Sequence, residues 1–279
     1  MLLQCRNKTL DLHFPRVMGI LNVTPDSFSD GGKFPGLNAV IDHALTLIED
    51  GADILDIGGE STRPGAQHVS VQEELARVLP VVEALAGVLH DKKTVISVDT
   101  RRTEVMQAAL QAGADMINDI QALEAPRAAE VVAQSGAAAC LMHMRGNPQS
   151  MQQQVDYDDV VAEVHMYLQQ RLDKALAAGI ARQALLVDPG IGFGKSTQGN
   201  LSLIKHISQL QALQLPILLG VSRKRFLGNV TGRAVDEREW ATIATNLYAY
   251  NQGVRIFRVH HVRACRDALV MYRAIEESQ

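Results

Sequence analysis

Asp188 ends the apolar run Leu185 to Val187 and is followed by Pro189 and three alternating glycines, Gly190, Gly192 and Gly194, before Lys195. A strand interior does not tolerate such a charge, and the proline stops the ladder. Asp188 is therefore read at the carboxyl end of a strand, facing a loop built for close backbone approach. The same grammar recurs: Asn22 follows an apolar run, and so do Thr62 and Arg63, Asp99, Asn118, Met142, Lys224, and the pair Arg258 and His260. Any one of them alone reads as a loop cap; a whole series of strand ends with complementary polar groups reads as a site. Asp99, Asn118, Asp188 and Lys224 supply acceptors and donors for a flat heterocycle with an amidine-like edge. A buried carboxylate there needs a ligand N–H pair or the Lys224 ammonium to offset its desolvation. Asn22, Arg63, Arg258 and His260 read as an anion site, for phosphate with a divalent metal.

The elements that must position these groups alternate. Strands are expected over 17–23, 54–57, 94–98, 116–120, 138–144, 185–187, 216–221 and 256–259. Helices are expected over 38–50, 70–89, 103–112, 126–134, 158–178, 200–210, 237–251 and 262–277. Val160, Val164, Leu168, Leu172 and Leu176 fall on one i, i+4 row, and Ser70 with Glu73 forms a capping box. Residues 224–236 read as a polar connection. Unbroken βα alternation over most of the chain favours a (β/α)8 barrel. A doubly wound open sheet would gather its functional residues at one switch point, whereas here they occupy all the strand ends. No linker or low-complexity stretch appears, so the expectation is one domain over 1–279, with a lead-in at 1–16 and the barrel from 17 to 279. Residues 4–14 are expected to form a small hairpin under the barrel.

Composition narrows the class. The chain has 279 residues, 47% of them hydrophobic, enough for a sizeable core. A net charge of −4 argues against a broad nucleic-acid surface while permitting local anion pockets. Three scattered cysteines, Cys5, Cys140 and Cys265, form no framework and suit a reducing compartment. There is no signal-peptide apolar segment and no apolar run long enough to span a membrane, so a cytoplasmic protein is expected. Rival motifs fail on spacing. A phosphate loop ending in Gly194-Lys195-Ser196 would need glycine where Pro189 stands, and a dinucleotide fingerprint starting at Gly190 would need it at Lys195. Gly220-Val221-Ser222-Arg223-Lys224 lacks the closing glycine of a nucleophile elbow. His260-His261 is a weak metal pair because strand neighbours point to opposite faces, and His143 and Met144 read as core and loop.

Four stretches carry a resemblance: Met18 to Gly32 (MGILNVTPDSFSDGG), Gly58 to Gly65 (GGESTRPG), Asp188 to Lys195 (DPGIGFGK) and Ser222-Arg223-Lys224. In order and spacing, from about residue 17 to 261, they resemble the dihydropteroate synthase family, pterin-binding barrels of the folate pathway and the target of sulfonamides. The resemblance implies a transferase that condenses 6-hydroxymethyl-7,8-dihydropterin pyrophosphate with p-aminobenzoate, giving 7,8-dihydropteroate and pyrophosphate. It implies Mg²⁺ as cofactor, with Asn22 as metal ligand, and a homodimer acting on small molecules, with no nucleic-acid or membrane partner. It implies a pterin pocket of Asp99, Asn118, Met142, Asp188, Phe193, Lys224 and Arg258. A p-aminobenzoate side would comprise Phe28, Thr62, Arg63, Pro64 and Ser222. A pyrophosphate site would comprise Asn22, Thr62, Arg63, Arg258 and His260, and the catalytic group Asp99, Lys224, Arg258 and His260.

Chemistry agrees with that assignment. Pyrophosphate departs readily once cations neutralise its charge. The methylene left behind is a cation conjugated to an electron-rich pterin, so an SN1-like path needs no enzyme nucleophile. One departure stands out: the family's last strand usually reads Arg-Val-His-Asp, and here it reads Arg258-Val259-His260-His261. The lost Asp suggests a changed loop or helix cap, with His261 as partial replacement. Two other readings fit the motifs less well. A methyltetrahydrofolate-type pterin methyltransferase has no use for the pyrophosphate site or Ser222-Arg223-Lys224. A non-catalytic pterin-binding paralogue would be expected to lose the first two loop motifs or Lys224, all present here.

Overall fold

The structure is a computed structural model and describes residues 1–23, 35–60, 69–146, 151 and 155–278. Its centre is a ring of parallel strands: β3 (Arg16–Asn22), β4 (Ile54–Gly58), β5 (Val95–Asp99), β6 (Met116–Asp119), β7 (Ala138–Met142), β8 (Leu185–Asp188), β9 (Leu218–Gly220) and β10 (Ile256–Val259). Their order is β8-β7-β6-β5-β4-β3-β10-β9. The ring closes through a parallel bridge between Val187 and Ile217, with Val187 N–H donating to the Pro216 carbonyl at 2.9 Å. This is the (β/α)8 barrel expected from the alternation.

Helices wrap the ring: α1 (Pro35–Glu49), α2 (Val71–Val88), α3 (Thr103–Gln111), α4 (Ala128–Ser135), α5 (Val160–Ala177), α6 (Thr197–Lys205), α7 (Arg225–Thr231), α8 (Glu239–Asn251) and α9 (Val262–Glu276). Ser70 caps α2 through the expected box with Glu73. The α5 row is also as expected: Val164, Leu168 and Leu172 are fully buried. The connection 224–236 differs from its expectation, because it holds α7. Only Phe226 and Leu227 of that helix are buried, too few apolar positions to produce a visible helical row.

Period-two alternation sorts the strand residues. Leu55, Ile57, Ile96, Val98, Ile117, Leu141, Val187, Leu219 and Phe257 point outward into the large core under the helices. The inward residues stack in layers. At the bottom, Met18, Ile54, Val95, Met116, Ala138, Leu186, Leu218 and Ile256 pack against Leu3, Cys5, Leu10 and Leu12. Those last four come from an antiparallel hairpin, β1 (Leu2–Cys5) with β2 (Lys8–Asp11), and from the residue after it. The hairpin expected beneath the barrel is therefore present, shifted slightly toward the N-terminus, and it plugs the lower end. Two residues further along, the inward positions of β4, β5, β6, β8 and β10 become polar: Asp56, Ser97, Asn118, Asp188 and Arg258.

Candidate active site

The upper inward layers open into a cavity of about 510 Å³. Its lining brings together Asn22, Asp99, Asn118, Met142, Asp188, Phe193, Ser222, Lys224, Arg258 and His260, from seven strands and the loops that follow them. Every site residue expected from the sequence and lying among the described residues is thus at one mouth. Phe28, Thr62, Arg63 and Pro64 lie outside the described residues.

The floor is built by β4, β5, β6 and β10. Arg258 donates through Nε to Asp56 Oδ2 at 2.6 Å and through Nη2 to Asp99 Oδ2 at 2.8 Å. Asp56 also accepts from Ser97 Oγ at 2.7 Å and Asn118 Nδ2 at 3.0 Å. Burial pushes the Asp99 carboxyl up to about 7; Arg258 opposes the shift, and the negative charge of Asp56 adds to it.

The wall is the glycine loop after β8. Asp188 Oδ1 accepts the Gly190 N–H at 2.6 Å. Gly190 has φ +68°, and a Cβ there would lie 1.8 Å from the His143 carbonyl oxygen, so no side chain fits. Burial raises the Asp188 pKa, and the Lys224 ammonium is the main opposing influence. Lys224 donates to the Ile191 carbonyl, and its Nζ lies 4.5 Å from the centre of the Phe193 ring. Its own pKa is lowered to about 8 by burial, with Asp188 pulling the other way. Arg223 takes a left-handed φ of 60°, turning the chain sharply between Ser222 and Lys224. Its carbonyl accepts from Arg238 Nη1 at 3.1 Å, which holds that turn. Beside that turn, Ser222 Oγ and His260 Nδ1 are 2.9 Å apart.

Sequence reasoning missed four kinds of residue. Asp56 was passed over because it lies inside β4 and not at its end; its signal is parity, since it shares the inward register of Ile54 and Gly58. Lys195 is buried and donates to the Gly190 and Phe193 carbonyls, each at 2.9 Å, with His143 Nδ1 at 2.8 Å. It therefore braces the glycine loop from behind; burial lowers its pKa well below the ordinary lysine value, and burial, with Lys195 next, pushes that of His143 down to about 2. Glu60 lines the cavity and pairs with Arg101 and Arg102. Asn229 and Arg238 also line the outer rim, where Arg238 joins Arg223 and Arg225 of the basic run already visible in the sequence. The expectation for His261 is not met: it stands at the N-cap of α9 with no side-chain cap hydrogen bond, and its side chain is exposed.

Among the described residues no cluster of three or more His, Cys, Asp or Glu could hold a metal by itself. Likewise, no helix there is long and apolar enough to cross a membrane.

This arrangement has close counterparts. Residues 18–260 match the family described as pterin binding enzyme. The dihydropteroate synthase of Escherichia coli (strain K12) is 46% identical over 274 residues, covering 98% of this chain and 96% of that one. A structure of Xanthomonas albilineans dihydropteroate synthase with 4-aminobenzoic acid superposes with a TM-score of 0.91 at 49% identity, covering 100% of this chain and 99% of that one. Another from the same organism, in complex with 7,8-dihydropteroate, has a TM-score of 0.88 at 46% identity, with 100% of both chains covered. With a family match across most of its length, relatives nearly half identical from end to end, and the barrel mouth described above, the chain belongs to the dihydropteroate synthase family of pterin-binding enzymes.

Proposed function

We infer that this chain is a dihydropteroate synthase, a transferase that joins the methylene of 6-hydroxymethyl-7,8-dihydropterin pyrophosphate to the amine of p-aminobenzoate. The observation that carries this reading is the cavity itself. One mouth holds Asp188, Lys224, Asn118 and Asp99 for a flat heterocycle, and Arg258, His260 and Asn22 for an anion. Relatives at this level of identity bind 4-aminobenzoic acid and 7,8-dihydropteroate.

In this reading the pterin lies between Met142 and Phe193, with Asp188 and Asn118 accepting from its N–H groups and Lys224 donating to its acceptor edge. Arg258, His260 and Asn22 receive the pyrophosphate, together with Thr62 and Arg63. The C–O bond to pyrophosphate breaks heterolytically, and the electron pair leaves with the pyrophosphate. The methylene cation is conjugated to the ring and is stabilised by ionised Asp99. The amine nitrogen of p-aminobenzoate forms the new C–N bond and loses a proton. Phe28, Thr62, Arg63, Pro64 and Ser222 form its side of the site.

The donor chemistry fits Mg²⁺. Asn22 ends β3 at the mouth with a neutral oxygen donor, and a cation held mostly by substrate phosphates needs few protein ligands. When bound, Mg²⁺ supplies neutralisation of the departing pyrophosphate charge. We read the chain as one domain, residues 1–279, with 1–16 as lead-in, acting in the cytoplasm on small molecules, without nucleic-acid or membrane partners. A homodimer is supported by exposed Trp240 and Tyr248 on α8 and Val270, Met271 and Ile275 on α9.

The test is turnover. Purified protein is incubated with the dihydropterin pyrophosphate, with and without p-aminobenzoate and Mg²⁺, and pyrophosphate and dihydropteroate are measured. Stoichiometric formation of both, dependent on p-aminobenzoate, is expected. Pterin binding with no product under any of these conditions would overturn the reading.

A further inference from the structure

We propose that Asp56 is a positioning residue for this reaction: from beneath the pocket it sets which atoms Asn118 and Arg258 present to the ligand. The proposal rests on the synthase reading above. Asp56 is fully buried on β4, one inward layer below the mouth, and does not line the cavity. Among the described residues its three side-chain partners are Ser97 Oγ at 2.7 Å, Asn118 Nδ2 at 3.0 Å and Arg258 Nε at 2.6 Å. Two of those three partners line the cavity.

The consequence follows from hydrogen-bond inventory. An ionised carboxylate only accepts. It therefore selects the amide orientation of Asn118 in which the NH2 group faces down, leaving Oδ1 as the atom offered upward. Asn118 then presents an acceptor, the kind of atom that reads an amino group or ring N–H. For Arg258 the effect is angular. Its guanidinium is planar, with donors in a fixed fork. Nε on Asp56 and Nη2 on Asp99, at 2.6 and 2.8 Å, leave the plane little freedom. Among the described residues Nη1 has no hydrogen-bond partner, so it remains for an anion. Asp56 also shares the positive charge of Arg258, which would otherwise belong to Asp99 alone.

Asp56→Asn tests this with little change in volume. The variant loses the negative charge, and its single acceptor oxygen serves either the Oδ1 partner, Ser97, or the Oδ2 pair, Asn118 and Arg258, so the hold on Asn118 and Arg258 is weakened. Binding of the dihydropterin pyrophosphate is measured by calorimetry without p-aminobenzoate, and steady-state constants are measured for both substrates. The expected result is a 10- to 100-fold weaker affinity for the pterin, with KM for p-aminobenzoate within twofold of wild type. Because Asp56 acts through Asn118 and Arg258, Asp56→Asn is expected to weaken pterin binding less in an Asn118→Ala background than in wild type, the remainder being the share carried by Arg258.

The pH profile gives a readout that a merely structural role would not move. Asp99 is faced by Asp56 from β4, Arg258 from β10, Glu74 from α2 and Asp119 from β6. Losing the Asp56 charge shifts the acid limb of kcat/KM to lower pH, whereas a packing defect lowers the plateau and leaves the limb in place. Wild-type pterin affinity in a folded Asp56→Asn protein overturns the proposal, as does an equal rise in both KM values with an unmoved acid limb. If Asp56→Asn fails to fold, Ser97→Ala takes its place: a three- to tenfold weaker pterin affinity supports the proposal, and wild-type affinity overturns it. A wild-type protein that binds the pterin and makes no dihydropteroate retires the synthase reading, while the affinity comparison still decides the role of Asp56.

Discussion

The two ends of the barrel are built on the same strands and treat buried groups in opposite ways. At the bottom the inward residues are apolar, sealed by the hairpin side chains Leu3, Cys5, Leu10 and Leu12. The charges at that end are paired at the margin: Lys8 with Asp115 at 2.8 Å, and Arg16 with Asp53 at 2.9 Å. Two residues along, on β4, β5, β6, β8 and β10, the inward positions carry Asp56, Ser97, Asn118, Asp188 and Arg258 inside the barrel. The bottom removes apolar surface from water and stabilises the fold. The mouth keeps charge in a low-dielectric setting, where it acts strongly on a ligand and where pKa values move. A (β/α)8 barrel thus divides labour along its axis, and the change takes only two residues.

Paired substitutions sharpen that division. Lys224→Ala at the mouth should lower kcat/KM for the pterin by about 10²–10³-fold, ~3–4 kcal/mol of transition-state stabilisation. Leu3→Ala at the bottom should reduce unfolding free energy by about 3 kcal/mol through the cavity it leaves, with kcat/KM within about twofold of wild type. Urea melts and steady-state kinetics on both proteins check this; a Leu3→Ala enzyme that loses activity without losing stability would break the comparison.

The pH dependence is the next effect in size. The proposed mechanism uses Asp99 ionised and Lys224 protonated. Burial raises Asp99 to about 7, so activity should rise as pH climbs through about 7 and the proton leaves. Burial lowers Lys224 to about 8, so activity should fall as pH passes about 8 and the ammonium is lost. The kcat/KM profile of the free enzyme is therefore expected to be a narrow bell. A flat profile from pH 6 to 9 would show that the mouth does not perturb these groups.

The smallest effect concerns the one departure from the family's pattern. His261 occupies the N-cap of α9 without a capping hydrogen bond. His261→Asp should add one, raising stability by about 1 kcal/mol and leaving kcat within about twofold of wild type. A large change in kcat would show that this position belongs to the mouth's chemistry and not to the helix.

Much of this was readable from the chain alone. Apolar runs ending in Asp188, Asp99 and Asn22 mark strand ends because charge and proline stop a ladder, and their alternation with helical periods implies the barrel. Ser70 and Glu73 announce the start of α2 because a capping box is a local device. Asn22, Asp99, Asn118, Met142, Asp188, Lys224, Arg258 and His260 are readable as one group from the sequence, since strand ends in this fold converge.

Three features required the closed ring. Asp56 resembles a misplaced charge in Ile54-Leu55-Asp56-Ile57 until Arg258, 202 positions away, is seen to meet it. Lys195 resembles a phosphate-loop remnant until it is found buried against the Gly190 and Phe193 carbonyls. The shift of Asp99 to about 7 depends on burial and on charges from four other elements. Strand ends, caps and periodicity are local and are written in adjacent residues. Partners for buried charge come from other strands, and which strand supplies them is decided only when the sheet closes.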